Sequence, residues 1–421
     1  MGRSSERSLQ FTVPNNPHSL EQGNSPDSAA SLQKAREQAQ FILKQAGRAG
    51  RAGIDCLIDL LSKEILRHRT YLACGSANTE LAQEVADILD IKLDKTMDPN
   101  SKEGKVSLRR YAEGEVCPEI GNVDGKTVFF IQSPSPGYIA ANPETGEFSI
   151  DPKTGKPKIV PGINDHLMEL FSALDAIKRA GARKTIAVIP HFPYARQDRK
   201  DRRGVPITAS MLAQMIEERG AHQICALDLH SEQITGSVKI PFDVHYSSYV
   251  FIPWAKQHLN IGAVVSPDAG ALKMAKQYSR MLLDHPHAGF VDKERDVNSG
   301  SLTTTGVSID VSGLNVLIPD DLTGSFGTLE KAALRCKEGG AADIFAMVPH
   351  DLSVGGGLER LLQCDAVTKL ITTNTIAHRP EVLAEANKPN GKLEIISAAP
   401  LIAEVIRHIM YGEDTQDLFY V

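Results

Sequence analysis

The stretch from Ile189 to Arg203, IPHFPYARQDRKDRR, decides how the rest of the chain is read. An apolar run, Ile186 to Ile189, precedes it and suits a buried strand, with Val188 favouring the pleat. Pro190 and Pro193 stop that run and stiffen its exit. Arg196, Arg199, Lys200, Arg202 and Arg203 follow, with Asp198 and Asp201 between them. A solvated charged loop is the plain reading of such a run. A strand that empties into clustered guanidinium groups also suits a polyanionic small ligand, because arginine grips phosphate oxygens in pairs and stacks on flat bases. The position at a strand exit favours the second reading, since open α/β sheets bind ligands there.

Working outward, 421 residues suit two domains with extras. A net charge of −6 argues against nucleic-acid or membrane-surface binding, both of which draw on a basic excess. The six cysteines, Cys56, Cys74, Cys117, Cys225, Cys336 and Cys364, form no C-x-x-C pair and are expected to be reduced structural thiols of a cytoplasmic protein. No apolar run approaches the roughly 18 residues of a membrane span, and the start, MGRSSERSLQFTVPNN, lacks the apolar core of a secretory signal.

Residues 1–30, rich in Ser, Asn, Pro and Gly, are expected to be disordered. Residues 31–68 keep helical spacing and form an extension that could cap the body or mediate assembly. From Thr70 short apolar runs alternate with helical patterns. Strands are expected at 71–74, 127–132, 185–189 and 223–228, with helices at 79–89 and 165–180, the latter ended by Gly181. A second series places strands at 262–265, 288–291, 314–318, 342–348, 366–372 and 393–396, with helices at 328–338 and 399–410. The fold class is therefore α/β, with two domains of parallel sheet flanked by helices, at 69–240 and 241–421, after the extension at 1–68. Residues 134–161 read as a long loop or small hairpin inserted between a strand and a helix.

Four further strand exits carry chemistry. Leu314 to Lys331, LNVLIPDDLTGSFGTLEK, ends a strand at Asp320 and Asp321 and passes through Thr323, Gly324, Ser325, Gly327 and Thr328 into a helix. Small residues at a helix start cradle anions, while the paired carboxylates suit sugar hydroxyls or a magnesium-bridged ligand. An acidic turn capping the helix is the alternative. ALDLHSEQ places Asp228 and His230 together, VVSPDAG ends at Asp268, and DKER supplies Lys293 and Arg295 ahead of a polar run, VNSGSLTTTG, that is expected to be mobile and to close over a ligand. Gly125-Lys126-Thr127 is not a P-loop, since Gly121 lies one residue too close and a strand follows. Gly355 to Gly357 means little by itself.

These segments resemble the ribose-phosphate diphosphokinase (phosphoribosyl pyrophosphate synthetase) family. ANTELAQEVA (77–86), YAEGEV (111–116), PYARQDRK (193–200), DLHSEQITG (228–236), VVSPDAG (264–270) and TTNTI (372–376) stand in family order. The resemblance implies tandem phosphoribosyltransferase-type domains, usually in hexamers, and a magnesium-dependent transfer of the diphosphoryl group of ATP to ribose 5-phosphate. Carried over by position, Tyr111, Glu113, Glu115, Arg196, Gln197 and Asp198 would bind ATP. Asp320, Asp321, Ser325, Gly327 and Thr328 would bind ribose 5-phosphate. His230 and Asp268 would stand at magnesium, and Lys293, Arg295 and His230 would be catalytic. The departures are Gly324, Ser325 and Phe326 in DDLTGSFGT, where the family has DD-x-x-D/S-TGGT, and Ala271 after PDAG. A phenylalanine where backbone approaches phosphate is expected to obstruct it or to impose another loop shape. The alternatives are a non-catalytic regulatory member of the family and a phosphoribosyltransferase.

Overall fold

The computed structural model describes residue 64 and residues 68–95, 108–111, 114–140, 147–150, 156–295 and 302–412. The chain divides into compact units of residues 1–66 and 67–421, and only the second is described here. The expectations for residues 1–30 and for Cys56, and nearly all of those for 31–68, lie outside the described residues.

Runs of apolar residues too short for helices build the first sheet. Its strands, in chain order, are Thr70–Cys74 (β1), Leu93–Lys95 (β2), Thr127–Ile131 (β3), Lys184–Ile189 (β4), Gln223–Leu227 (β5) and Phe242–His245 (β6). They lie in the spatial order β6-β5-β4-β3-β1-β2, all parallel. β3, TVFFI, is buried at every position, as a strand covered on both faces must be. Three helices connect these strands: Thr79–Leu89 (α1), Ile163–Arg179 (α2) and Thr208–Glu218 (α3). The Asn78 side chain accepts from the Leu81 N–H at the start of α1, and Asp165 reaches back to the Gly162 N–H at the start of α2. Leu167, Leu170, Leu174 and Ile177 give α2 the apolar face that it lays on the sheet.

The second sheet repeats the pattern. Ala263–Ser266 (β7), Ala288–Arg295 (β8), Leu302–Val307 (β9), Val316–Pro319 (β10), Ile344–Val348 (β11), Lys369–Thr373 (β12) and Leu393–Ile396 (β13) lie in the order β9-β8-β7-β10-β11-β12-β13. Helices Ser248–His258 (α4), Leu272–Leu282 (α5), Gly327–Glu338 (α6), Gly357–Gln363 (α7), Pro380–Ala386 (α8) and Ala399–Tyr411 (α9) accompany it. The change from one sheet to the other falls after His245, a few residues past the expected junction near 240.

Two expectations need correction. The strand expected at 288–291 continues to Arg295, so Lys293 and Arg295 stand on a strand and not in a loop. The polar run expected to be mobile contains β9, which pairs antiparallel with β8 and shifts register between Asp292 and Lys293. Threonine-rich sequence (Thr303, Thr304, Thr305) is strand-forming despite its polarity. The insertion holds a small hairpin, Tyr138–Ile139 against Ile159–Val160, as expected. Cys74, Cys225, Cys336 and Cys364 are buried free thiols, whereas Cys117 is exposed.

The carboxyl ends of the two sheets are tied to each other by hydrogen bonds. Asn78 Nδ2 donates to the Asn374 carbonyl at 2.7 Å, Asn374 Nδ2 donates to Glu84, and the Ala398 N–H donates to Asn374 Oδ1 at 2.8 Å. Ser133 Oγ donates to the Thr375 carbonyl, and the Ala377 N–H to Ser135 Oγ at 3.3 Å. Truncating Asn374 strands several partners at once, so Asn374→Ala should lower unfolding free energy by about 1–3 kcal/mol. Urea denaturation monitored by circular dichroism checks this, and an unchanged midpoint would remove Asn374 from the seam.

Candidate active site

The basic loop leaves β4 at Ile189 and is suspended between two helix starts. Tyr194 takes a left-handed conformation, φ 61°, and its hydroxyl donates to Asn164 Oδ1 in the first turn of α2 at 2.6 Å. Thr208 Oγ1, at the start of α3, donates to Gln197 Oε1 at 2.6 Å, and the Gln197 N–H donates to the Tyr194 carbonyl at 2.8 Å. The loop is thus held by neutral groups, which leaves its cations available to a ligand.

The next exit, after β5, turns sharply at Asp228, φ 43°. Its carboxylate accepts from the Ser247 N–H at 2.9 Å, and burial pushes its pKa up to about 7. Two residues on, His230 Nδ1 lies 2.7 Å from Asp321 Oδ2. That hydrogen bond raises the His230 pKa. Burial alone would raise Asp321, but the imidazole partner holds it below the usual carboxylate range. Its neighbour Asp320 is pushed well above that range by burial first and by the Asp321 charge second. The cleft floor therefore concentrates negative charge that a cation would relieve.

The loop that follows resolves the question raised by Phe326. Its backbone takes the left-handed conformation, φ 64°, ψ −3°, that glycine adopts without strain. Its ring is only 2% exposed and joins the core with Leu329 and Leu361. The ring therefore anchors the turn from behind instead of filling the anion cradle. Thr323 and Gly324 lie against a second segment, with Leu352 N–H donating to the Thr323 carbonyl at 2.9 Å and Val354 N–H to the Gly324 carbonyl at 3.0 Å. A Cβ on Gly357 would stand 2.3 Å from the Gly324 oxygen, so the glycine cluster that carried no meaning in the sequence permits this close approach.

Two cavities open on these exits. The larger, about 1310 Å³, is lined by Arg199, Asp228, His230, Asp268, Asp320 and Asp321 among others. The smaller, about 220 Å³, lies against Arg196 and Gln197 and shares Asp228, Leu229, His230 and Asp321 with the first. The arginine loop, the His230 segment, Asp268 and the acidic pair thus border one continuous cleft. Asp198, Ser325, Gly327 and Thr328 do not line either cavity. Tyr111 and Glu115 stand on an exposed hairpin turn closed by the Tyr111 N–H to Glu115 carbonyl bond, 2.9 Å. Glu113 lies outside the described residues, as do the side chains of Lys293 and Arg295.

Residues 70–220 match the model of the N-terminal domain of ribose phosphate pyrophosphokinase, and residues 297–420 match the phosphoribosyl synthetase-associated domain. The ribose-phosphate pyrophosphokinase of Helicobacter hepaticus is 36% identical over 349 residues, 82% of this chain and 97% of its own length. The chain belongs to the ribose-phosphate pyrophosphokinase family. Ribose-phosphate pyrophosphokinase A of Dictyostelium discoideum is 32% identical over 83% of this chain and 98% of its own length. The crystal structure of phosphoribosylpyrophosphate synthetase from Mycobacterium smegmatis superposes with a TM-score of 0.66 at 28% identity, covering 82% of this chain and 99% of that one. The fold is thus the family's two-sheet α/β arrangement, with the residues described above at the strand exits.

Sequence reading passed over His191 and His350, which lie at the wall of the smaller cavity with ring centroids 5.2 Å apart. A buried histidine gives no local sequence signal. Burial pushes the His191 pKa down to about 3, with the His350 charge adding to the effect, so the ring stays neutral in the fold. The unfolded chain takes up a proton near pH 6.5 and the folded chain does not, so stability from this group is present above about 6.5 and is lost as pH falls toward 3. His191→Asn should therefore be most destabilising at neutral pH, and its deficit should narrow by roughly 2 kcal/mol at pH 4.5. Urea midpoints at pH 7.5 and 4.5 test this, and a deficit independent of pH would contradict it.

Proposed function

We propose that this cleft carries out the family reaction with the residues assembled above: transfer of the diphosphoryl group of ATP to the 1-hydroxyl of ribose 5-phosphate, giving 5-phosphoribosyl 1-pyrophosphate and AMP. The observation that carries the reading is the common cleft bordered by Arg196, His230, Asp268, Asp320 and Asp321. The sugar oxygen attacks the β-phosphorus, the bond from that phosphorus to the α-phosphate oxygen breaks, and AMP leaves. No covalent enzyme intermediate is needed, so catalysis is alignment plus neutralisation of the transferring group. Arg196, Gln197 and Asp198 would hold ATP, with Tyr111, Glu113 and Glu115 reaching it from a neighbouring subunit of a hexamer. Asp320 and Asp321 would take the ribose hydroxyls, and Ser325, Gly327 and Thr328 its phosphate, at the start of α6. Lys293 and Arg295 would neutralise charge on the moving group, and His230, poised by Asp321, would contact it.

The donor set fits a hard cation that arrives with phosphate. Among the described residues no group of three or more His, Cys, Asp and Glu could hold a metal ion by itself, so most ligands must come from substrate oxygens and water, the usual habit of magnesium. His230 and Asp268 are the protein positions assigned to it, and when bound it would supply charge neutralisation to the β- and γ-phosphates. No described helix is long and apolar enough to cross a membrane, and buried free thiols suit a cytoplasmic enzyme. The buried Phe326 ring favours a working ribose 5-phosphate loop over the non-catalytic alternative.

Purified protein with ATP, magnesium and ribose 5-phosphate should release AMP, and chelation should stop it; ATP binding without AMP release would instead indicate a binding-only member. Lys293→Ala should cut turnover by about 10²-fold or more while leaving ATP affinity within threefold; equal losses in both would count against its role. Gly357→Ala forces the Gly324 carbonyl to move, so the KM for ribose 5-phosphate should rise about tenfold with the KM for ATP little changed. Steady-state kinetics with each substrate varied in turn distinguishes the two effects.

A further inference from the structure

His350 lies behind the cleft at a junction of three segments. Its ring is 3% exposed. Nε2 is 2.9 Å from the Leu227 carbonyl, the residue before the Asp228 turn that leads to His230. A carbonyl only accepts, so Nε2 carries the ring proton and Nδ1 is left as an acceptor, 2.9 Å from the Thr375 hydroxyl. The His350 backbone meanwhile pairs in parallel with Leu322, the residue after Asp321. One residue therefore grips the chain just before His230 with its side chain and just after Asp321 with its backbone. His230 and Asp321 are the pair that meets at 2.7 Å across the cleft.

Other polar groups cannot substitute. The Leu227 N–H goes to the Pro190 carbonyl at 3.1 Å and the Asp228 N–H to the His245 carbonyl at 2.9 Å. These bonds fix the strand exit within its own sheet, but neither reaches the acidic loop of the other sheet. The Leu227 carbonyl is the point where the two segments are crosslinked, and it is buried where an unmet acceptor is costly.

We propose that His350 is a positioning residue for the transfer reaction: through its Nε2–H bond to Leu227 it sets the separation of His230 from Asp321, and so the alignment of the diphosphoryl group with the ribose hydroxyl. This rests on the reading of the cleft given above. His350 touches no substrate, and its effect passes through the two segments that it joins. A misplacement of about 1 Å at reacting groups is enough for a large loss of rate.

The test compares His350→Phe, which fills the site but lacks the donor, with His350→Gln, whose side-chain N–H can reach the Leu227 carbonyl. In the AMP-release assay the phenylalanine variant should lose about 30-fold or more in kcat, with the KM for ATP within about threefold, and glutamine should restore turnover to within about fivefold of wild type. A purely structural role would lower thermal stability in both variants without this split. Full-chain nitrogen-15 spectra provide a readout that does not depend on a folded variant: His350 should show the Nε2–H tautomer with the bonded proton shifted downfield. Near wild-type kcat in His350→Phe, failure of glutamine to restore turnover in folded protein, or an Nδ1–H tautomer would each overturn the proposal. A wild-type chain that makes no AMP would overturn the reading of the cleft, and this proposal with it; wild-type turnover with an unaffected phenylalanine variant would overturn the proposal alone.

Discussion

Everything in the cleft depends on two parallel sheets meeting at their carboxyl ends. Each sheet alone would leave its strand exits as solvated loops of Pro, Gly, Asp and Arg. Hydrogen bonds at Asn374, Ser133, Ser135 and His350 join the exits of one sheet to those of the other and turn separate loops into opposite walls. The partners are mostly neutral amides, hydroxyls and carbonyls. That choice has a consequence for function. Charged groups used as cement would be neutralised by one another, whereas neutral cement leaves Arg196 and the acidic pair to interact with what enters the cleft.

The same division of labour explains the strained backbone. Among the described residues, Tyr194, Asp228, Phe326 and Ser353 adopt left-handed conformations without being glycine. All four lie in exits or in the segment braced against them. Each is held by something specific: a hydroxyl bond to Asn164, a carboxylate bond to the Ser247 amide, a ring in the core, and bonds from the Ser353 amide and hydroxyl to Asp351. Strain of this kind costs about 1 kcal/mol or more at each position and persists only where surroundings over-determine it. Phe326 is the clearest case, since the side chain that makes the turn unfavourable also supplies the burial that holds it.

Much of this was legible in the sequence. Short apolar runs of 4–6 residues marked the central strands, because a strand buried on both faces has no polar alternation to hide it. The exits were legible because arginine clusters and paired aspartates have few structural uses at such positions. The DKER segment was misread because its continuation is polar, and polarity was taken as mobility; threonine in a hairpin is both polar and ordered. His191, His350, Asn374 and Gly357 were not legible at all. Their roles come from contacts that span tens to hundreds of residues in the chain, as with Asn78 to Asn374, and no local pattern records them.

The substitutions at 324–326 show how far a motif can change while its geometry is kept. What the turn before α6 requires is a left-handed residue and room for backbone to approach an anion. Glycine meets both needs by lacking a side chain. Phenylalanine meets them by sending its side chain the other way, where the Leu329 and Leu361 core receives it. The close approach that the backbone still needs is then supplied from across the loop by Gly357, whose missing Cβ makes space for the Gly324 carbonyl. The requirement for small size is conserved in space while its position in the sequence has shifted. A family signature read as a string of letters would score this loop as divergent. Read as a set of steric conditions, it is intact.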